Sequence, residues 1–367
     1  MANETPLKDA KIPFDGPVQS GIEQAPQAHL SVLALDLDEG ATIEQFQDLM
    51  QRWTTTARLL TQGQKVPGFE AWEMVEVPAN LTITCGFGER IFDFLGRGER
   101  KPAGLHDLPA FKLDKLEEQW GQSDLVLQLC GDDLVTLNTA ARLLVKAAEG
   151  TAHWKWVQKG YGHAFGAVPS GTTPRNPMGQ VDGTINPGNP EEYNEQVWIE
   201  SDDPAIDKSS IMVIRRIAMD LDAWDGVKLK TRDRVIGRHF HSGGPLSGGG
   251  EFDDEDMDAK DEKGRYLIDR HSHLALSREQ DGQPSDALRR RAYGYDDAPI
   301  PGRGYTNSGL VWIAFQKNPD LQFTAIQKRL DESDLLNHWV NHIGSAVYWI
   351  VPGTDADTYW GQALIES

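Results

Sequence analysis

The hydrophobic positions in the first half of the chain switch between strand-like and helix-like spacing. Residues 29–37 form a run of strand type, and the apolar positions from Ile43 to Leu60 then recur at steps of three and four, which is typical of an amphipathic helix with Thr42 as its N-cap. Further strands, with one more helix at 134–145, are expected at residues 81–86, 124–130 and 153–158. This β-α-β-β-α-β order predicts a ferredoxin-like unit.

The second half repeats the pattern with less regularity. Strands are expected at residues 210–219, 309–316 and 345–351, with a short helix at 220–230 and a longer one at 323–340. The sequence therefore predicts an α+β fold of two duplicated ferredoxin-like (βαββαβ) units with antiparallel sheets, of the dimeric α+β barrel type.

Three regions follow from this pattern. We expect an N-terminal extension at 1–28, a first domain at 29–190 and a second domain at 205–367, with a polar connection over 188–208. A long excursion, roughly 231–308, separates the first two strands predicted in the second half. Excursions of this length without regular structure are uncommon and often functional. Its acidic run is more typical of a solvated loop than of an EF-hand, whose spacing it does not fit.

The charge balance narrows the classes of partner. The 367 residues include 56 acidic and 36 basic side chains, a formal net charge of −20 at pH 7. Such a balance argues against nucleic acid or an anionic membrane surface as the partner. No apolar run approaches the roughly 18 residues of a transmembrane helix. Cys85 and Cys130 lie in apolar strands, where buried free thiols are expected.

The segment Asn176–Pro187 holds two prolines, two glycines, two asparagines and one acid. This composition predicts an irregular, tightly turned backbone. Inside it lies Gly179-x-x-Asp182-Gly183-Thr184, an acid flanked by glycines. No Gly-Lys-Ser/Thr follows, so a phosphate-binding loop is excluded. From spacing alone, a solvated turn and a chemical site both remain open.

The histidines give no metal motif by themselves. None of the ten lies in His-Glu-x-x-His or in a Cys/His zinc pattern. His271 and His273 sit two residues apart, as do His239 and His241, and such a pair can bind a metal, although a hydrogen-bonded or surface histidine is the simpler interpretation. The run Arg289–Arg291 would by itself indicate a solvated face. It stands just before Tyr293 and Tyr295, in the stretch expected to fold back to a pocket.

Together these segments resemble the dye-decolourising peroxidases, haem enzymes whose distal acid is Asp, and in particular the bacterial class exported by the twin-arginine route. The resemblance rests on the Asp182 motif, on Ser272-His273 and on the arginine run, in the order that the family has them. It extends from about residue 29 to the C-terminus. Other similar segments are Leu81–Gly88, Arg215–Asp222, Arg234–Arg238, Ser242–Leu246 and Gly344–Val347.

The resemblance implies roles for particular residues. His273 matches the proximal ligand of the haem iron, with His271 as its rival, and Asp182 matches the distal acid. Arg290 matches the distal arginine, with Arg291 as the alternative register. Asp331 or Asp334 is expected to accept a hydrogen bond from the ligand. The remaining residues expected at the cofactor are Gly183, Thr184, Trp312 and Phe315, the last two of which could equally be plain core.

The implied activity is that of a peroxidase with haem b (iron protoporphyrin IX). It would reduce hydrogen peroxide and oxidise dyes, phenols or other bulky aromatic reductants, with Asp182 moving the peroxide proton and Arg290 stabilising the developing charge. The alternatives are haem or iron handling of the deferrochelatase type, and a non-enzymatic haem-binding protein. A carrier needs no paired acid and arginine, so this pair favours the enzyme.

Partners and location follow from the same resemblance and from the charge. We expect hydrogen peroxide and small aromatic reductants as partners, with neither nucleic acid nor membrane, and the resemblance allows a homo-oligomer. The first 28 residues contain no hydrophobic core of the signal type. Because relatives in this class are exported, an exported mature form, periplasmic or extracellular, is the expectation, with a cytoplasmic location as the alternative.

Overall fold

The structure, a computed structural model, describes residues 5–169, 171–278, 287–302 and 304–367. The first four residues of the predicted N-terminal extension lie outside this range, as do residues 279–286 and 303 of the predicted excursion. Within the described residues, no helix is long and apolar enough to cross a membrane.

The first half forms the predicted ferredoxin-like unit. Its elements are β1 His29–Leu37, α1 Ile43–Thr61, β2 Thr82–Phe87, α2 Glu89–Phe94, β3 Leu125–Gly131, α3 Leu134–Ala147 and β4 Ala152–Tyr161. The strands pair antiparallel in the order β2-β3-β1-β4. Thr42 caps α1 in a capping box with Gln45, and the apolar stripe of that helix is buried in the core from Phe46 through Trp53 to Leu60, whereas Ile43 at its start is exposed.

The second half follows the same plan with interruptions. Its elements are α4 Pro190–Gln196, β5 Ser210–Met219, α5 Leu221–Asp225, α6 Leu229–Ile236, α7 His273–Ser277, β6 Arg289–Arg290, β7 Tyr293–Asp296, β8 Ser308–Gln316, α8 Phe323–Ser333, β9 Val340–Ile350 and α9 Gln362–Ile365. β5 pairs antiparallel with both β9 and β8. The short strands β6 and β7 pair with β8.

Two predictions about this half were wrong in detail. The helix expected at 323–340 ends at Ser333, because Asp334 has an extended backbone and caps a short 3-10 helix, Leu335–His338. The last strand therefore begins at Val340, five residues before the predicted start. The excursion is also more ordered than expected, since β6 and β7 supply the second strand of the unit.

The two units share one closed sheet. β2 pairs with β9 at Gly86 and Phe87, and β4 pairs with β7 at Tyr161. Because β5 pairs with both β9 and β8, the ring of strands closes into a barrel, which confirms the predicted fold class. Side chains that alternate along the strands fill its interior. The boundary between the two predicted domains stays a prediction.

The segment before β1 packs against the barrel. Gln19 and Ile22 are buried, and the Gln19 amide donates hydrogen bonds to the carbonyls of Cys85 and Val351, both at 2.8 Å. The part of the predicted extension that the structure describes is thus attached to both halves, and this segment also contacts the arginine run described below.

Candidate active site

His273 is the first residue of α7, and a carboxylate fixes the orientation of its imidazole ring. Ser272 caps this helix by accepting a hydrogen bond from the backbone of Ala275 at 3.3 Å. His273 Nδ1 lies 2.7 Å from Asp334 Oδ2, and the second oxygen of Asp334 accepts from the backbone N–H of Leu336 at 2.8 Å. The carboxylate is therefore held by its own 3-10 helix, and it fixes both the tautomer and the orientation of the imidazole.

The other ring nitrogen of His273, Nε2, makes no hydrogen bond to a protein group among the described residues. The side chain keeps 36% of its exposure although its neighbours Ser272 and Leu274 are buried. The side chain of the rival, His271, is exposed. Its backbone carbonyl accepts a hydrogen bond from the N–H of Leu335 at 3.0 Å. Asp331 accepts from the backbone of Lys112 and Leu113 instead, so Asp334 is the partner of His273.

Asp182 sits in the tightly turned loop that the composition predicted. Asn176 organises this loop by accepting from the backbone N–H groups of Met178 and Gln180 at 3.0 and 3.2 Å. Gly183 has φ of +108°, a left-handed conformation that glycine adopts without a steric penalty. The Asp182 carboxylate is half-buried, with the Asn176 amide 3.4 Å away.

The three arginines of the run point to two different sides. Arg289 and Arg291 are buried and reach the N-terminal segment, where each donates to the carbonyl of Gln24, at 2.9 and 2.7 Å. Arg291 also contacts the side chain of Gln27. Arg290 lies between them and is half-buried on the opposite face, because successive side chains of a strand alternate. Its guanidinium donates to the carbonyl of Ile185, in the Asp182 loop, at 3.3 Å.

Several charged side chains shift the pKa of His273. Burial lowers the pKa of His273, but the adjacent Asp334 carboxylate outweighs it, so that the net direction is upward. Asp182 adds to this rise, and Arg290 opposes it. The Asp182 carboxylate and the Arg290 guanidinium, from two segments that are distant in sequence, thus both act electrostatically on the His273 imidazole.

The chain matches known proteins over nearly its whole length. The profile described as "Dyp-type peroxidase, N-terminal" matches residues 19–162, and "Dyp-type peroxidase, C-terminal" matches residues 173–355. The chain belongs to the Dyp-type peroxidase family. It is 33% identical to "Dye-decolorizing peroxidase" from Thermobifida fusca, over 95% of this chain and 84% of the relative.

Two further comparisons agree with this membership. "Deferrochelatase" from Escherichia coli is 30% identical over 98% of this chain and 88% of the relative. The crystal structure of a DyP-type peroxidase from Cellulomonas bogoriensis superposes with a TM-score of 0.94 at 40% identity, covering 99% of this chain and 100% of that one. The protein is therefore an oxidoreductase, a haem-dependent peroxidase of the Dyp type.

The residues around His273 fit a haem. An imidazole whose Nδ1 donates to a carboxylate presents the lone pair of Nε2 outward, which is the arrangement that an iron ligand needs. A haem held through His273 would supply a redox centre able to react with a small oxidant. Besides Asp334, the Asp182 and Arg290 side chains also act electrostatically on His273, in opposite directions.

The remaining predicted residues separate into two groups. Trp312 is half-buried on the face of β8 that carries Ala314, the partner of Arg290, and it packs on Phe323 with ring centroids 5.1 Å apart. Phe315 pairs with Arg289 and is fully buried in the barrel interior, on the opposite face. Thr184 donates to Glu251 at 3.1 Å, so its side chain is directed to the excursion.

One residue of the site did not emerge from the sequence. The side chain of Asn186 hydrogen-bonds to both main-chain polar groups of Arg290, donating to its carbonyl at 3.1 Å and accepting from its N–H at 2.8 Å. The sequence feature that could have identified Asn186 is its position in the same short loop as Asp182. An open cleft of about 1090 Å³ beside the C-terminus, lined by Asp15, Tyr359 and Glu366 among others, includes none of the candidate residues.

Proposed function

We propose that His273 is the iron ligand of this peroxidase, that Asp182 moves the peroxide proton, and that Arg290 stabilises the charge that develops on the departing oxygen. The observation that carries this proposal is the His273–Asp334 pair at 2.7 Å, with Nε2 left open and the charges of Asp182 and Arg290 reaching the same ring. Bound haem supplies the redox centre for the reaction.

Each residue then has one task. Asp334 holds the Nδ1 proton of His273 and thereby orients the ring. Asp182 accepts a proton from hydrogen peroxide and returns it to the departing oxygen, as a general base and then a general acid. The Arg290 guanidinium donates a hydrogen bond to the Ile185 carbonyl in the Asp182 loop. Its remaining donors would stabilise the charge on the departing oxygen. Trp312, on the same face of β8 as the partner of Arg290, is proposed as an apolar wall of this site.

The reductants proposed for this site are dyes, phenols and other bulky aromatic molecules. The name of the Thermobifida relative supports dyes, and the resemblance of the site segments supports the wider class. Export to the periplasm or the extracellular space is likewise proposed from the resemblance. Fractionation of the source cells, followed by assay of peroxidase activity in each fraction, tests the location.

Variants of the two distal residues test the catalytic assignment. We expect Asp182→Asn and Arg290→Leu to keep haem but to react with hydrogen peroxide about 10²–10³-fold more slowly, since a general base or one stabilising donor typically contributes this much. The measurement is stopped-flow absorbance at the Soret band of the haem-loaded protein. Rates within twofold of wild type in both variants would contradict the assignment.

Iron removal from haem is the second candidate, supported by the deferrochelatase name of the Escherichia coli relative. Haem-loaded protein kept with a reductant and an iron chelator would then release iron and form metal-free porphyrin, which fluoresces. The peroxidase proposal expects haem to stay intact under these conditions and a phenolic reductant to be oxidised only when peroxide is added.

A further inference from the structure

Arg290 lies on a strand that is too short to fix the position of its own backbone by strand pairing alone. β6 contains two residues, Arg289 and Arg290, and among the described strands it pairs only with β8. Successive peptide groups of a strand point to alternate sides, so the N–H of Arg291 bonds to Ile313 on β8 at 2.8 Å while both polar groups of Arg290 face the open edge. An open edge leaves these groups without a ladder partner.

The side chain of Asn186 takes the place of a neighbouring strand at this edge. Its amide oxygen accepts from the Arg290 N–H at 2.8 Å, and its amide nitrogen donates to the Arg290 carbonyl at 3.1 Å. Both contacts are with the main chain, so they fix the Arg290 backbone independently of where its guanidinium points. Of the residues of similar size, only Asn offers a donor and an acceptor in this arrangement.

Asn186 also belongs to the loop that carries Asp182. The two residues are four positions apart, and the backbone N–H of Asp182 is bonded to Pro174 at 2.9 Å, so the loop is fixed on both sides of the acid. Gly183 turns between them, and a Cβ placed on it would lie 3.4 Å from the Asn186 amide nitrogen. A displacement at Asn186 would therefore be transmitted to both distal groups.

We infer that Asn186 is a positioning residue for the peroxide reaction, which sets Arg290 and Asp182 at a fixed separation by clamping the Arg290 backbone to the Asp182 loop. The inference rests on the proposed roles of Asp182 and Arg290 and adds to them a residue that acts only through its neighbours. Misplacement of a catalytic group by about 1 Å can cost on the order of 10²-fold in rate.

The test is a double-mutant cycle in the haem-loaded protein. Asn186→Leu keeps the size of the side chain and removes both hydrogen bonds, and we expect it to lower kcat/KM for hydrogen peroxide about 10- to 100-fold. In an Arg290→Leu background the same change should cost several-fold less than it does in the wild type, because its effect through Arg290 is already lost and only its effect through Asp182 remains. The Soret spectrum and the KM for a phenolic reductant should stay as in wild type.

Asn189→Ala is the matched control. Asn189 lies three residues further on and caps α4 by accepting from Glu192 at 2.9 Å, without contact to Arg290. We expect a loss of thermal stability and an unchanged rate with peroxide. If Asn186→Leu does not fold, Asn186→Ala removes both bonds with a smaller side chain that carries neither a donor nor an acceptor.

Three outcomes would overturn the inference, and they are distinguishable. If Asn186→Leu reacts within twofold of the wild-type rate, Asn186 does not position the distal groups, and the proposed roles of Asp182 and Arg290 are unaffected. An equal loss in the wild-type and Arg290→Leu backgrounds shows that Asn186 acts by another route. A wild-type rate in Arg290→Leu itself overturns the proposed role of Arg290, and the inference with it.

Discussion

At the scale of single residues, the site depends on pairs that are far apart in sequence. His273 and Asp334 are separated by 61 positions, and Asn186 and Arg290 by 104. Each pair joins a loop or a helix start to an element of the second unit. Removal of one member should therefore affect one function of the site and leave the fold in place.

His273 and His271 offer the sharpest comparison at this scale. We expect His273→Ala to fold but to lose most of its haem, because the open Nε2 disappears, so the ratio of Soret to protein absorbance should collapse. His271→Ala should leave that ratio nearly unchanged, since the His271 side chain is exposed and the Asp334 carboxylate bonds to His273 instead. The reverse result would move the ligand by two residues.

The sequence was enough to predict which types of residue the site contains, but not which individual residues contact one another. Asp331 and Asp334 are three positions apart and chemically identical, so only the end of α8 at Ser333 decides which of them meets His273. The register of the arginine run depends on which face of β6 each residue occupies. Trp312 and Phe315 could have been separated in advance, because an odd spacing in a strand puts two side chains on opposite faces.

At the scale of elements, the first unit followed from periodicity and the second did so only in part. β6 and β7 contain two and four residues, and three consecutive arginines hide the alternation that identifies a strand. Their place in the sheet is set by long-range pairing with β8. Local pattern cannot supply that information, whereas the longer β5 and β8 were predicted correctly.

Close packing of β7 on β8 gives a prediction about stability. A Cβ on Gly309 would lie 2.0 Å from the Ile217 carbonyl and 2.7 Å from the Tyr295 ring. We expect Gly309→Ala to destabilise the protein by about 1–3 kcal/mol through overpacking, seen as a lower Tm. Gly131→Ala in β3 is the control, since its Cβ would meet nothing nearer than 3.6 Å. Equal melting temperatures for the two variants would contradict the packing argument.

Two tryptophans connect the site to the surface. Trp224 is fully buried and donates to the Met178 carbonyl in the Asp182 loop at 2.9 Å, and it packs edge-on against Trp339 with centroids 5.0 Å apart. Trp339 is partly exposed at the end of the 3-10 helix that Asp334 caps. We therefore predict that the pair passes electrons from reductants too large to reach the cofactor.

We expect Trp339→Phe to lower kcat/KM for a bulky dye while the rate with hydrogen peroxide stays at the wild-type value. Phenylalanine keeps an aromatic packing partner for Trp224 but is much harder to oxidise. Steady-state assays with a bulky dye and with a small phenol make the comparison. An equal fall for both reductants, or none for either, would exclude Trp339 as the entry point.

At the scale of the whole molecule, the closed barrel keeps two of the three arginines of the run away from the surface. Arg289 and Arg291 point into the interior and are held by backbone carbonyls of the N-terminal segment, so the arginine run forms no exposed basic patch. Only Arg290 faces the site. The net charge of −20 then dominates the field that an approaching reductant meets.

This field predicts opposite salt dependences for reductants of opposite charge. An anionic sulfonated dye is repelled by the protein, and repulsion of this kind acts mainly on association and is screened over about 10 Å at 0.1 M salt. Raising the salt concentration at pH 7 should therefore increase kcat/KM for the anionic dye and decrease it for a cationic one. A neutral phenol, which carries no charge for the field to act on, serves as the control. Steady-state assays over about 0.01–0.5 M salt change the screening length from about 30 Å to a few Å. If the anionic dye instead slows as salt is added, the local potential at its oxidation site is positive, and net charge does not govern the approach of substrates to this enzyme.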